Sequence, residues 1–334
     1  MRNGEGSKMA EITATDEVIE NAIGAACRAP SLHNSQPWQW VLCRGEVQLF
    51  LDPSRVMATD HSARQALIGC GATLGHLRVA MAGVGWLSHV ERFPNPANSN
   101  HLATFTFSPL AYVSDRDKLR AQAVWKRRTD RLPFSAVTEW DAFEPIAVSC
   151  VNSGTVHLEV LPERIRPQLI KAAELAESLR LYNTVYHDEL CWWTAPFENS
   201  EGIPYSALVS ATEGDRVGIG RVFPTHRRPE RRLEIPEDHA KILLISTDNY
   251  EPADALASGE VLSSVLLECT MAGLATCPIT HVTEVAVARE LIQSYMNHDA
   301  LPQILVRVGV VPATEKTPPA TPRRKLSEVL RVQQ

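Results

Sequence analysis

Apolar residues recur at helical spacing through Val18, Ile19, Ala22, Ile23, Ala25 and Ala26, which predicts a core-facing helix stopped before Pro30. A short polar hook follows (Ser31, His33, Asn34, Ser35, Gln36), closed by Pro37. Residues 38–42 and 47–51 then read as the strands of a hairpin around Arg44-Gly45-Glu46. Positions 62–84 carry a long helical pattern ended by Gly83 and Gly85. Its interior glycines, Gly69, Gly71 and Gly75, lower local helix propensity and are tolerable if another helix packs close there. Residues 102–110 alternate as a strand after a turn containing Pro94, Asn95, Pro96 and Asn98.

Further along, 156–161 reads as a strand, 167–181 as a helix, 241–246 as a buried strand and 303–311 as the last strand. The stretch 258–275 is apolar on nearly all sides (Val261, Leu262, Val265, Leu266, Leu267, Met271), which predicts a central helix. Between them, 192–239 loses period and holds Pro196, Pro204, Pro224, Pro229 and Pro236. So long an irregular segment is either a functional lid or disordered. Trp192, Trp193, Phe197, Tyr205 and Phe223 would be its apolar contacts if it is a lid. A proline-rich arm at 317–322 ends in Arg323-Arg324-Lys325. Gly69 to Met81-Ala82-Gly83 and Gly259 to Met271-Ala272-Gly273 share their spacing, with Leu77 and Leu267 at matching places, so an internal duplication is expected.

The 334 residues, 44% hydrophobic and 22% charged, suit one large domain or two ordinary ones. A net charge of −6 argues against a general nucleic-acid binder. Seven scattered cysteines without a Cys-x-x-Cys pair read as reduced thiols of a cytoplasmic protein. Residues 1–14 lack an apolar core and no apolar run approaches the ~18 residues of a membrane span, so neither a signal peptide nor membrane association is expected. Gly218-Ile219-Gly220 is followed by Phe223 and not glycine, which argues against a Rossmann dinucleotide site. No His-x-x-x-His spacing occurs among the eleven histidines, so metal chemistry is not expected.

Short donor and acceptor side chains held between two prolines beside Trp38 suit a polar planar ligand; the alternative is a loop whose Ser and Asn cap backbone. Ala29-Pro30-Ser31-Leu32-His33-Asn34-Ser35-Gln36-Pro37-Trp38 closely resembles the signature loop of the nitroreductase family of FMN flavoproteins. With the duplication, the resemblance is to the family's single-chain Acg-type branch and runs from about residue 15 to residue 330. It implies an α+β nitroreductase-like fold in which two fused half-repeats, 15–120 and 121–330, form a pseudo-dimer within one chain. The lid, at about 192–239, would be inserted in the second repeat, and a single FMN would lie between the halves.

The same resemblance implies the contacts. Pro30, Ser31, Leu32, Asn34 and Gln36 are expected at the flavin ring and ribityl chain. Arg127-Arg128-Thr129-Asp130-Arg131 is similar to the family's Arg-Arg-Ser-x-Arg element, so Arg127, Arg128, Thr129 and Arg131 are expected at phosphate, ribityl and ring edge. Forked, permanently charged guanidinium groups suit that phosphate. Arg323, Arg324 and Lys325 precede Leu326-Ser327-Glu328-Val329 as a basic pair does in the family, and Arg324 is the expected phosphate partner. The stretch from Gly273 to Ile279 leads to Thr280 and His281, the turn expected to face flavin N5, where many relatives carry Glu-Gly. Where relatives often have Asn and Lys before the strand at 241–246, this chain has Arg227, Arg228, Arg231 and Arg232, either replacement donors or part of the lid. The implied activity is NAD(P)H-dependent reduction of a nitroaromatic or quinone with no catalytic side chain, in a chain that needs no second copy for its site. The alternative is a non-catalytic FMN-sequestering protein with a lid-occluded flavin.

Overall fold

The computed structural model describes residues 13–151, 154–195, 201–224, 229–296, 299–315 and 318–333. Pro196, Phe197, Arg227, Arg228 and residue 317, named above, lie outside the described residues.

Helix α1 (Asp16–Ala26) opens with Thr15 Oγ1 accepting from Val18 N at 3.4 Å and buries Ile19, Ala22 and Ile23. After the hook, β1 (Trp38–Cys43) and β2 (Glu46–Leu51) form the expected hairpin. Its turn is left-handed at Arg44 (φ 50°) and at Gly45 (φ 80°), the hand that matches strand twist. Helix α2 (Arg64–Gly83) follows, then β3 (Trp86–Arg92) and β4 (His101–Pro109). Two helices not anticipated above come next. The first, α3 (Asp115–Lys126), is started by a Ser114–Asp117 capping box, and the second is α4 (Trp140–Val148).

The second half contains β5 (Val156–Leu161), α5 (Arg166–Arg180), α6 (Thr184–Trp193), α7 (Ala211–Val217), β6 (Lys241–Thr247) and α8 (Pro252–Met271). It continues through β7 (Ala275–Ile279), one turn of α9 (His281–Glu284), α10 (Ala286–Gln293) and β8 (Leu301–Gly309). A short α11 (Leu326–Val329) and β9 (Leu330–Gln333) end it. The central helix begins six residues earlier than periodicity predicts. Pro252 sits in its first turn, where its missing N–H costs nothing.

The strands form two sheets, ordered β3-β4-β2-β1-β9 and β5-β6-β8-β7. Each sheet is built in chain order from two strands, a 20-residue helix and two more strands. The spatial orders β3-β4-β2-β1 and β7-β8-β6-β5 correspond; β9 is an extra parallel partner of β1. Pro278 is accommodated because β7 is an edge strand.

Helices α2 and α8 pack against each other in the core. A Cβ on Gly71 would overlap the Leu256 carbonyl, and one on Gly259 the Ile68 carbonyl. At Gly75 a Cβ would stand 2.8 Å from Ser263 Cβ. The interior glycines are therefore the condition for this approach. Helix α2 is long and apolar enough, by length and composition, to cross a membrane, but most of it is buried inside the fold. All seven cysteines are free.

Candidate functional site

The hook carries three non-glycine residues in left-handed backbone, His33 (φ 51°), Asn34 (φ 61°) and Gln36 (φ 53°), an arrangement worth about 1–3 kcal/mol of strain at each. Hydrogen bonds hold it there. Gln36 N donates to Ser31 Oγ at 2.9 Å and Gln36 Nε2 to Asn34 O at 3.2 Å. Asn34 Nδ2 donates to Gly202 O at 3.0 Å and Pro322 O at 3.1 Å, while Arg324 N donates to Gln36 Oε1 at 2.9 Å. The strained turn is thus tied to the 201–224 segment and to the C-terminal arm. Gly69 lets it lie on α2: a Cβ there would meet Ser31 Cβ at 3.2 Å.

The hook forms one wall of a cavity of about 650 Å³. Gln65 and Gly69 of α2, Thr280 and His281 after β7, and Ile203, Arg221 and Phe223 complete its working surface. Gln65 is 3% exposed, and neither its amide oxygen nor its nitrogen has a protein partner. His281 is 1% exposed, with Nε2 unpartnered. Burial, reinforced by the Arg221 charge, brings both His33 and His281 down to about 3, so both are neutral at pH 7. Glu284 accepts from Arg221 at 2.5 Å, Arg180 at 2.8 Å and Thr280 Oγ1 at 2.6 Å. Burial alone would raise this carboxyl; the two guanidinium groups outweigh it and hold Glu284 well below the usual range.

A smaller cavity adjoins the first, and Pro30, Ser31, Thr129 and Arg131 line both. Its other walls bring together Arg28, Arg127, Arg128 and Arg323. Arg127 is 5% exposed; its Nη2 donates to Arg28 O at 3.0 Å, and its Nε and Nη1 have no partner. Arg323 donates to the carbonyls of Cys27, Arg28 and Ala29, the end of α1. Arg128 Nε is buried without a partner. Among the described residues, no carboxylate lies within 4.0 Å of any of the four. Burial first, then repulsion from Arg28 and Arg128, pulls Arg127 down to about 9. The same causes hold Arg323 well below its ordinary value. One buried and three partly buried cations with no acid among them suit an anion of phosphate type.

Residues 201–224 and 229–239 are more ordered than their composition suggests. Ile203, Leu208 and Phe223 form a small apolar cluster with Tyr186 and Leu190 of α6. Helix α7 starts with a Ser210–Glu213 capping box. Arg231 donates to the fully buried Glu213 through Nε and Nη2, both at 2.9 Å. Arg232 binds Asp130 at 2.5 Å, Glu315 and the Pro133 carbonyl. These two arginines are engaged in ion pairs of the scaffold. Arg227 and Arg228 lie outside the described residues.

Pro30, Ser31, Leu32, Thr129, Arg131, Thr280 and His281 line the large cavity, and Asn34, Arg127 and Arg128 the arginine mouth. Gln36 and Arg324 line neither. Gln36 is consumed in bracing the hook. Arg324 donates to Glu328 O at 3.0 Å and stands 3.7 Å from the Asp52 carboxylate. Adjacent residues on the extended arm point apart, and Arg323 is the one turned into the mouth. Sequence reasoning missed Arg28, Gln65 and Arg221. The signal for Gln65 was available: it sits one helical turn before Gly69, on the face the hook touches. Among the described residues, no group of three or more His, Cys, Asp and Glu is placed to hold a metal.

No protein-family model matches the chain. A protein of Mycobacterium tuberculosis (strain ATCC 25618 / H37Rv) named "Putative NAD(P)H nitroreductase acg" is 52% identical over 325 residues, 97% of this chain and 98% of its own. A second protein of that strain, similarly named, is 33% identical over 319 residues, 94% and 91% of the two chains. The solved FMN-dependent nitroreductase NfnB from Mycobacterium smegmatis, in complex with NADPH, aligns at 17% identity with a TM-score of 0.40, covering 66% of this chain and 100% of that one. Identity of 52% over nearly the full length of both proteins reflects common descent, and the chain belongs to the nitroreductase family, in the group of the mycobacterial Acg protein.

Proposed function

We propose that the chain is an FMN-dependent oxidoreductase that takes hydride from NAD(P)H and passes it to an electron-poor acceptor such as a nitroaromatic or a quinone. The observation that carries this reading is the arginine mouth opening beside the hook cavity, with guanidinium nitrogens buried and unpartnered at the phosphate end. Gln65 and His281 present unpartnered polar atoms at the ring end. Arg28, Arg127, Arg128 and Arg323 would hold the phosphate, Asn34 and Thr129 the ribityl hydroxyls, and the hook, Gln65 and His281 the ring. When bound, the flavin supplies the hydride chemistry. The protein's part is to position it, exclude water, and offer donors that are fixed before reaction. His33 and His281, neutral at pH 7, hold no proton to deliver as acids, and solvent can reprotonate products.

Both halves of the chain contribute to the large cavity, the hook and α2 from the first and Thr280 and His281 from the second, which supports a site that one chain can build. The corresponding strand orders of the two sheets support an internal duplication, with repeats at 15–120 and 121–330 forming a pseudo-dimer. One hook and one arginine mouth give one FMN per chain. Seven unpaired thiols fit a cytoplasmic setting.

The test is anaerobic titration of the purified, FMN-loaded protein with NADPH and with NADH. Bleaching of the flavin absorbance supports turnover; a protein that takes up no FMN contradicts the reading. A second reading, a flavin-sequestering protein, is favoured by one observation: Ile203, Arg221 and Phe223 of the 201–224 segment wall the cavity in the manner of a closed lid. Flavin bleached by dithionite but by neither nicotinamide would decide for it.

A further inference from the structure

The first turns of α2 and α8 meet around a third cavity, of about 320 Å³, whose lining includes Asp60, Arg64, Tyr250, Glu251, Glu284 and Arg289. We propose that this cavity binds a small oxyanion, a carboxylate or a phosphate, between Arg64 and Arg289, at a site that adjoins the flavin cavity across Gln65, which lines both. Arg64 is 9% exposed and its Nε is buried with no partner. Its Nη2 donates to Thr283 O at 2.5 Å, and Arg289 Nη1 donates to the same carbonyl at 2.9 Å. Both guanidinium groups also lie against one ring: their carbons are 5.0 and 4.8 Å from the centre of Tyr250. One carbonyl and one tyrosine, through its ring and its hydroxyl, thus serve two cations, and among the described residues neither has a carboxylate within 4.0 Å.

The three acids of the lining are committed elsewhere. Asp60 accepts from Ala66 N at 3.0 Å, and Glu251 caps α8 in a reciprocal box with Asp254. Glu284 is held by Arg221 and Arg180. Both helix ends are therefore already satisfied, and the charge left without an answer is that of the two arginines. Convergent guanidinium groups with free N–H donors select planar or tetrahedral oxyanions. The volume suits a dicarboxylate or a small phosphate ester and is too small for a dinucleotide.

The test is calorimetric titration of the full chain with succinate and, separately, with inorganic phosphate. It is done on the Arg127→Gln/Arg323→Gln background, which disables the other arginine cavity and leaves this one intact. Saturable binding of either probe is expected, weakened about tenfold or more by Arg64→Gln. The partly exposed Arg289→Gln should weaken it comparably and guards against a folding defect at Arg64. A preference for succinate marks a carboxylate site and a preference for phosphate a phosphate site. No saturable heat with either probe, or affinity unchanged in both folded variants, overturns the proposal.

Discussion

Arg127 of the mouth and Arg232 of the 229–239 stretch are equally hidden, at 5% and 6% exposure, yet their surroundings differ in kind. Burial alone would lower the pKa of either. Around Arg232 the Glu315 and Asp130 carboxylates outweigh burial and raise it; around Arg127 the neighbours are further arginines, and it falls to about 9. A buried guanidinium with its acids in place ties segments together. One without them costs stability in the free protein and is explained by what binds there. Arg307 belongs with Arg232: it pairs with Asp238 at 2.5 Å, both side chains 1% exposed, under the 130–134 segment.

The largest effect that can break this contrast is on the scaffold side. Asp238→Ala leaves Arg307 buried with no carboxylate and also removes the acceptor of Phe134 N, so denaturant unfolding should show a loss of about 3–5 kcal/mol. A loss below about 1 kcal/mol would mean the two arginine sets are not different in kind. On the mouth side the order reverses. Arg127→Ala with Arg323→Ala should weaken FMN binding about a hundredfold or more while leaving the ligand-free protein no less stable. Equilibrium dialysis and thermal unfolding on the same samples check both halves of that statement.

A smaller effect sharpens the description of the ring end. Below pH 6.5 the unfolded chain binds protons that His33 and His281 refuse in the folded state until about pH 3. Stability should therefore be full above pH 6.5 and fall as the pH drops toward 3. His33→Gln should remove about half of that fall, read from urea unfolding across the range. The smallest effect expected is for Arg324→Ala, which should change FMN affinity by less than about threefold, because its side chain lines neither cavity and its partners are Glu328 O, Asp52 and, at 3.5 Å, Gln36 O.

What could be read beforehand followed what the sequence encodes locally. The hairpin announced itself through Arg44-Gly45, and the glycines of α2 were compatible with the close helix that Gly71 and Gly259 permit. The hook was legible because its prolines and short polar residues are contiguous. The mouth was only half legible: Arg127 and Arg128 sit in a recognisable element, but Arg28, just past the end of α1, reaches the same cavity only through the fold. Choosing Arg324 over Arg323 was a choice between neighbours on an extended arm, where one residue reverses the direction of the side chain. Helices α6 and α7 were hidden because α7 is short and is held by ion pairs with residues some twenty positions on, such as Glu213 with Arg231. No periodicity records such a contact.

The central claim, that the arginine mouth is the phosphate end of an FMN site, is tested most directly by comparing FMN with riboflavin, which lacks only the phosphate. Affinities measured by quenching of flavin fluorescence, in the native chain and in Arg127→Ala/Arg323→Ala, give the phosphate's contribution as a ratio. The account predicts FMN about a hundredfold or more tighter than riboflavin in the native chain, and a ratio near one in the double variant. Equal affinities in the native chain, or a preference that survives the double substitution, would contradict it.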